Sequence, residues 1–161
     1  CFKYIINSPP PPLVEGNIWF QIGHVHEIQK DYDSAKQAYQ SSLEYLPNDP
    51  KVLQQLGWLH HQGFISQVRA VEYLEKSVTV DNDPQSWYLL GRVYMSQQKY
   101  SEAKKAYQQA VSLDDRNPTF WCSLGILHYE VNQYEDAFHD YSRAIYLNPY
   151  IPECWYDLGT L

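Results

Sequence analysis

Six histidines, three cysteines and 19 acidic residues are the groups of this 161-residue chain that could carry acid–base, metal or nucleophilic chemistry. Their spacing speaks against each. His24 and His26 stand two apart, which turns them about 200° from one another on a helix, and His60 and His61 converge no better on a single ion. No metal site is expected. Cys1, Cys122 and Cys154 are too few and too irregular for a disulfide framework or a four-ligand zinc site, a usage that fits a reducing, intracellular compartment. Cys122 has no sequence neighbour that would activate a thiolate, so it reads as a small apolar helix residue. A glycine-rich loop running into Lys and Ser or Thr is absent, as is Gly-x-Ser-x-Gly. The acidic pairs Asp114–Asp115 and Glu135–Asp136 fall where turns or helix starts are expected, and there solvent and the helix dipole account for them. The expectation is a chain with no catalytic residue and no cofactor.

Charge narrows the partners. Twelve Lys and Arg against 19 Asp and Glu give a net charge of -7 and a pI near 5.2, which opposes direct binding to DNA or RNA. No apolar run reaches the roughly 18 residues of a membrane span, and no charged start leads into an apolar signal core. The chain opens on Cys1 and not Met, so an excised piece of a longer protein is expected.

The elements that position these groups follow from one period. Gly23, Gly57, Gly91, Gly125 and Gly159 fall 34 residues apart, and Trp19, Trp87, Trp121 and Trp155 each stand four before one of them, with Leu53 in the remaining slot. Ala35, Ala103 and Ala137 follow their glycines by twelve residues, and Tyr39, Tyr107 and Tyr141 come four later. Pro50, Pro84, Pro118 and Pro152 recur at the starts, where a first helical turn loses nothing by lacking an N–H. The period predicts an all-α fold of stacked helix pairs, in which neither helix of a pair can bury its apolar stripe without neighbours. Gly and Ala are expected at the close approach of the two helices, with Trp and Tyr filling wider gaps beside it.

The predicted repeats are 16–49, 50–83, 84–117 and 118–151, with the first helix of a further one at 152–161. Residues 1–15 read as the end of a preceding helix, with Phe2 in the aromatic slot, followed by a proline-rich junction, Pro9–Pro12, that forbids helix. The second repeat is irregular: Ala70 comes one place late, which predicts a longer turn around His61–Gln67, and one residue is lost again before Pro84. His26, His60 and His128 occupy the eleventh repeat position, where the third repeat has Tyr94, and read as packing substitutes for it. Exposed apolar end faces and some self-association of the chain are expected.

The Trp, Leu-Gly, Tyr, Ala and Pro pattern over 34 residues resembles the tetratricopeptide repeat (TPR) family. The resemblance implies an αα-superhelical solenoid, here a fragment of a longer array, whose first helices line a groove at repeat positions two, five, nine, twelve and thirteen. The protein-binding residues this implies are Phe20, His24, Gln54, Trp58, Tyr88, Arg92, Ile126, Tyr129 and Tyr156, a set rich in the aromatic and arginine chemistry of interface cores. Lys at position five with Asn at position nine, by which chaperone-tail adaptors of the family clamp a carboxylate, is missing. So is the asparagine ladder of the nucleocytoplasmic glycosyltransferase.

Stretches that the repeat does not dictate, among them Ile18–Val25, Lys51–Trp58, Ser86–Val93, Arg116–Gly125 and Trp155–Leu161, resemble the TPR subunits of the fungal Ssn-Tup general transcriptional corepressors. That resemblance implies a nuclear, non-catalytic adaptor whose partners are a β-propeller corepressor subunit and DNA-binding transcription regulators, with no small-molecule substrate. The TPR regions of JmjC histone demethylases are also similar, through the Gln-Leu-Gly-Trp and Trp-Cys-Ser stretches. On that alternative, catalysis would belong to a distant iron-binding domain. A scaffold of another multiprotein assembly is the third reading.

Overall fold

A computed structural model describes residues 15–63 and 66–161 of the chain. The readings placed on residues 1–14, including Cys1, Phe2 and Pro9–Pro12, and on Phe64 and Ile65 lie outside the described residues. The described residues form nine helices and no strand: α1 Glu15–Ile28, α2 Tyr32–Tyr45, α3 Pro50–Gln62, α4 Gln67–Val80, α5 Pro84–Ser96, α6 Tyr100–Leu113, α7 Pro118–Glu130, α8 Tyr134–Leu147 and α9 Pro152–Gly159. The chain divides into two compact units, Cys1–Asp81 and Asn82–Leu161. In the first, α1 pairs with α2 and α3 with α4, and α2 packs on α3. In the second, α5 pairs with α6 and α7 with α8, while α6 packs on α7 and α8 on α9.

Local chemistry sets the helix ends. Asp49, Asp83 and Asn117 each stand just before a proline and accept backbone N–H bonds from the first turn: Asp49 from Lys51 and Val52, Asp83 from Ser86, Asn117 from Thr119. The turn inside a pair is three residues long after α1, α5 and α7. At each of these Lys30, Gln98 and Asn132 take a left-handed φ of 61°, 57° and 60°. The next N–H then reaches five residues back, from Asp31 to His26, Lys99 to Tyr94 and Gln133 to His128, closing a Schellman cap. After α3 the turn has four residues, and the link from α4 to α5 has three where the other links have four. Ala70 accordingly lies fully buried although it comes one place late.

The small-residue contact differs in detail from the expectation. A Cβ on Gly23, Gly91 or Gly125 would strike the ring of Tyr39, Tyr107 or Tyr141 at 2.5, 2.5 and 2.8 Å, so the tyrosine sits on the glycine and not in a gap beside it. Gly57 receives Leu74 in the same way, 2.6 Å from that virtual Cβ, with the Ala70 carbonyl at 3.2 Å. Ala35, Ala103 and Ala137 are buried one turn before each ring. Gly159 departs from the expectation, because a Cβ there meets nothing within 4 Å: no described helix lies over it.

Three tryptophans have a bonding role that the period alone did not disclose. Trp87 Nε1 donates to the Asn82 side-chain oxygen at 2.6 Å, Trp121 Nε1 to the Asp115 carbonyl at 2.8 Å and Trp155 Nε1 to the Pro149 carbonyl at 2.9 Å. Each indole thereby ties its helix to the link that precedes it. Trp19 is half-buried on α1.

The first unit's core gathers Ala35, Tyr39, Val52, Leu56 and Leu59. The second unit has two clusters. One holds Ala103, Tyr107, Ala110, Val111, Phe120, Leu124 and Leu127, and the other Cys122, Ala137, Tyr141, Ala144 and Cys154.

Candidate functional site

The expected groove residues separate into two kinds once their burial is known. In the first unit Phe20 is half-buried against Tyr39, with ring centroids 5.6 Å apart, and belongs to the margin of the core. His24 is exposed and stands 3.9 Å from Glu27, whose carboxylate also accepts the Tyr39 hydroxyl at 2.8 Å. Burial and then that carboxylate push the Tyr39 hydroxyl well above the usual tyrosine range. Trp58 is half-buried with its ring 5.4 Å from His61, and Gln54 is half-buried on the same helix. A pocket of about 310 Å³ opens where α1 approaches the start of α3, lined by Asn17, Phe20, Gln21, Asp49, Pro50 and Lys51. It joins an apolar floor to amide and ammonium groups, the mixture that orients a bound side chain.

In the second unit Tyr88 is wedged between Tyr107 and Phe120 at 6.2 and 5.2 Å, so much of its area already serves packing. The exposed Arg92 guanidinium lies 5.9 Å from the Tyr88 ring centre. Ile126, Tyr129 and Tyr156 are exposed at 37%, 38% and 74%, and the Tyr129 ring meets that of Tyr134 edge-on at 5.7 Å. These three are the expected residues with most apolar area left to offer in this unit.

Histidine and cysteine chemistry lies elsewhere than spacing suggested. His128 Nδ1 is 2.7 Å from Asp140 Oδ2, with both side chains about nineteen-twentieths buried, and His139 Nδ1 is 3.2 Å from the other carboxylate oxygen. The pair joins α7 to α8 across the turn. His128 Nε2 is buried, so the pair presents no His128 ring nitrogen to solvent. Sequence reasoning passed over Asp140; the one signal was its place twelve residues after His128, where the first and third repeats carry Ala38 and Ala106.

In the second repeat His60 occupies the corresponding place, fully buried, with the Tyr73 ring 5.5 Å away and neither ring nitrogen bonded. Burial, then the nearby charges of Lys36 and Arg69, lower its pKa. Cys122 and Cys154 share one buried cluster. Burial pushes both thiols above their usual range, which makes them poor nucleophiles. Among the described residues no group of three His, Cys, Asp or Glu is placed to hold a metal ion, and no helix is long and apolar enough to cross a membrane.

Comparison with known proteins agrees with this geometry. Family profiles described as TPR repeat match residues 91–132, and tetratricopeptide repeat profiles match 118–150 and 16–49. The chain is 59% identical over 71 residues to the general transcriptional corepressor ssn6 of Schizosaccharomyces pombe, a match covering 42% of this chain and 6% of that protein. It is 58% identical over 67 residues to the general transcriptional corepressor trfA of Dictyostelium discoideum, covering 40% and 5%. To the general transcriptional corepressor CYC8 of Saccharomyces cerevisiae it is 50% identical over 66 residues, covering 38% and 7%. The matched stretches are therefore under a tenth of these relatives' length. Of solved structures, the Cut9 and Hcn1 hetero-tetramer of APC/C gives a TM-score of 0.84 at 16% identity over 92% of this chain and 30% of that one. MamA gives 0.80 at 24% identity, covering 90% and 79%. At those identities the likeness shows the fold alone.

Proposed function

The chain is a tetratricopeptide repeat protein, and from that premise we propose that it is a non-catalytic docking scaffold of a general transcriptional corepressor. One contrast carries the reading. Arrays of the same fold need share only 16 to 24% identity with this chain, whereas ssn6 and trfA share 59% and 58% over about seventy residues. Identity so far above the level at which the fold is kept supports a shared surface as well as shared packing.

The proposed partners are DNA-binding transcription regulators and a β-propeller corepressor subunit, met in the nucleus. The net charge of -7 favours protein segments over nucleic acid as ligands. Within each unit taken by itself such segments would lie along the first helices: Gln54 and Trp58 offer amide and aromatic surface in the first unit, and Arg92, Ile126, Tyr129 and Tyr156 a guanidinium fork and apolar area in the second.

Two experiments test this. Exchanged for the matching repeats of ssn6 in fission yeast, the chain should preserve reporter repression and co-purification of the β-propeller subunit. Loss of both, with the hybrid protein at its normal level, overturns the reading. The triple variant Ile126→Ala, Tyr129→Ala, Tyr156→Ala spares the core and should weaken capture of the DNA-binding regulators by about tenfold or more. Undiminished capture removes these residues from the binding face.

A further inference from the structure

Arg143 is the one Lys or Arg between residues 117 and 161, facing six Asp and Glu in the same stretch. It would be expected to seek one of them. None of the described carboxylates lies within ion-pair distance of it, and Asp140, three residues earlier on α8, is engaged by His128 and His139. The guanidinium instead lies over two aromatic rings, its carbon 6.0 Å from the Trp121 centre and 5.5 Å from the Tyr146 centre. Trp121 is itself fixed by its indole bond to the Asp115 carbonyl, and the exposed His139 ring meets its edge at 6.0 Å. Tyr146 is 78% exposed. Both rings thus lie within cation–π reach of the guanidinium, which makes no hydrogen bond or ion pair with a described residue.

We propose that Trp121, His139, Arg143 and Tyr146 form a second docking site, outside the groove positions, for a peptide segment that places a single Asp or Glu carboxylate on Arg143 and an apolar side chain on Tyr146. Contact with two rings restricts the rotamer freedom a surface arginine would lose on binding, and the planar fork matches a carboxylate through two parallel N–H···O bonds. The charge of the surroundings selects the occupant. A single cation amid acids suits one monovalent carboxylate, whereas phosphopeptide sites assemble arginines in clusters and nucleic acid needs many phosphates neutralised. His139, four residues from Arg143 on the same helix, brings its exposed ring to 6.0 Å from the same tryptophan.

A random 12-residue phage-displayed peptide library, panned on the full chain and counter-panned on Arg143→Gln, tests the assignment. Peptides that bind only the parent chain should be enriched in Asp or Glu beside an aromatic or aliphatic residue. As synthetic peptides they should lose about tenfold in affinity on Asp→Asn or Glu→Gln exchange, and as much against Arg143→Lys, which keeps the charge but not the fork. Unchanged melting of both variants ensures that the loss is read from the site. The proposal is overturned by a selection without Arg143-dependent binders, by binders indifferent to amide exchange, or by a matched phosphoserine peptide binding more tightly than its glutamate form. Full retention of affinity by Arg143→Lys removes the planar fork from the explanation and overturns it as well.

Discussion

A tyrosine ring lying on a glycine is the contact that most constrains individual residues here. The Tyr107 ring atoms nearest a Cβ on Gly91 are fixed parts of a buried side chain, so the extra methyl has to displace the ring. Gly91→Ala should therefore destabilise the chain by about 1–3 kcal/mol through overpacking, whereas Gly159→Ala, with open space around it, should change the melting temperature little. Equal shifts for both substitutions in a thermal melt would refute the contact.

His60 makes a second case at this scale. Its folded pKa is lowered, so the unfolded chain takes up a proton near the ordinary histidine value of about 6.5 while the folded chain resists it. The associated stability is full above that pH and falls as the pH drops below it, at up to about 1.4 kcal/mol per pH unit. Tyrosine is what the third repeat carries at this place, so His60→Tyr should flatten urea midpoints measured between pH 7.5 and 5.5; parallel slopes in both chains would contradict this. None of these pairings could be read from spacing alone. Periodicity names which residues share a repeat position, but whether His128 meets Asp140, or His60 meets Tyr73, depends on how two helices are brought together by their turn.

At the scale of elements the sequence was far more legible, because helix ends are local. Pro50, Pro84 and Pro118 with their preceding Asp or Asn define starts that the structure reproduces, and the late Ala70 shows itself as one more residue in the turn after α3. The Schellman caps were not foreseen, since Lys30, Gln98 and Asn132 give little hint of a left-handed φ. Side chains with a Cβ hold that conformation at a cost that glycine avoids. Gln98→Gly is accordingly expected to stabilise the chain by about 1 kcal/mol, raising the urea midpoint without changing the slope of the transition. A lowered midpoint would mean that the Gln98 side chain contributes more than its backbone costs.

For the molecule as a whole, apolar exposure among the described residues is greatest toward the end of the second unit. Tyr146, Tyr150 and Tyr156 are 78%, 89% and 74% exposed, and Trp155 is 52% exposed. Such a surface should drive concentration-dependent association, detectable as a rising sedimentation coefficient, and Tyr150→Lys with Tyr156→Lys should suppress it. A concentration-independent monomer in the parent chain would show that these rings are adequately solvated.

The histidine places bear on a hazard peculiar to tandem arrays, in which every hairpin resembles the next and a helix can close on the wrong sibling. The four repeats carry different residues at these two places: His26 and Ala38, His60 and Tyr73, Tyr94 and Ala106, His128 and Asp140, and of these His60 meets Tyr73 and His128 meets Asp140. Should α7 close on α6 during folding, His128 would find the Ala106 methyl group where its carboxylate belongs, and Asp140 would lose its partner across the turn. The second and fourth hairpins thus each carry a pairing of their own, which should disfavour closure on the wrong sibling.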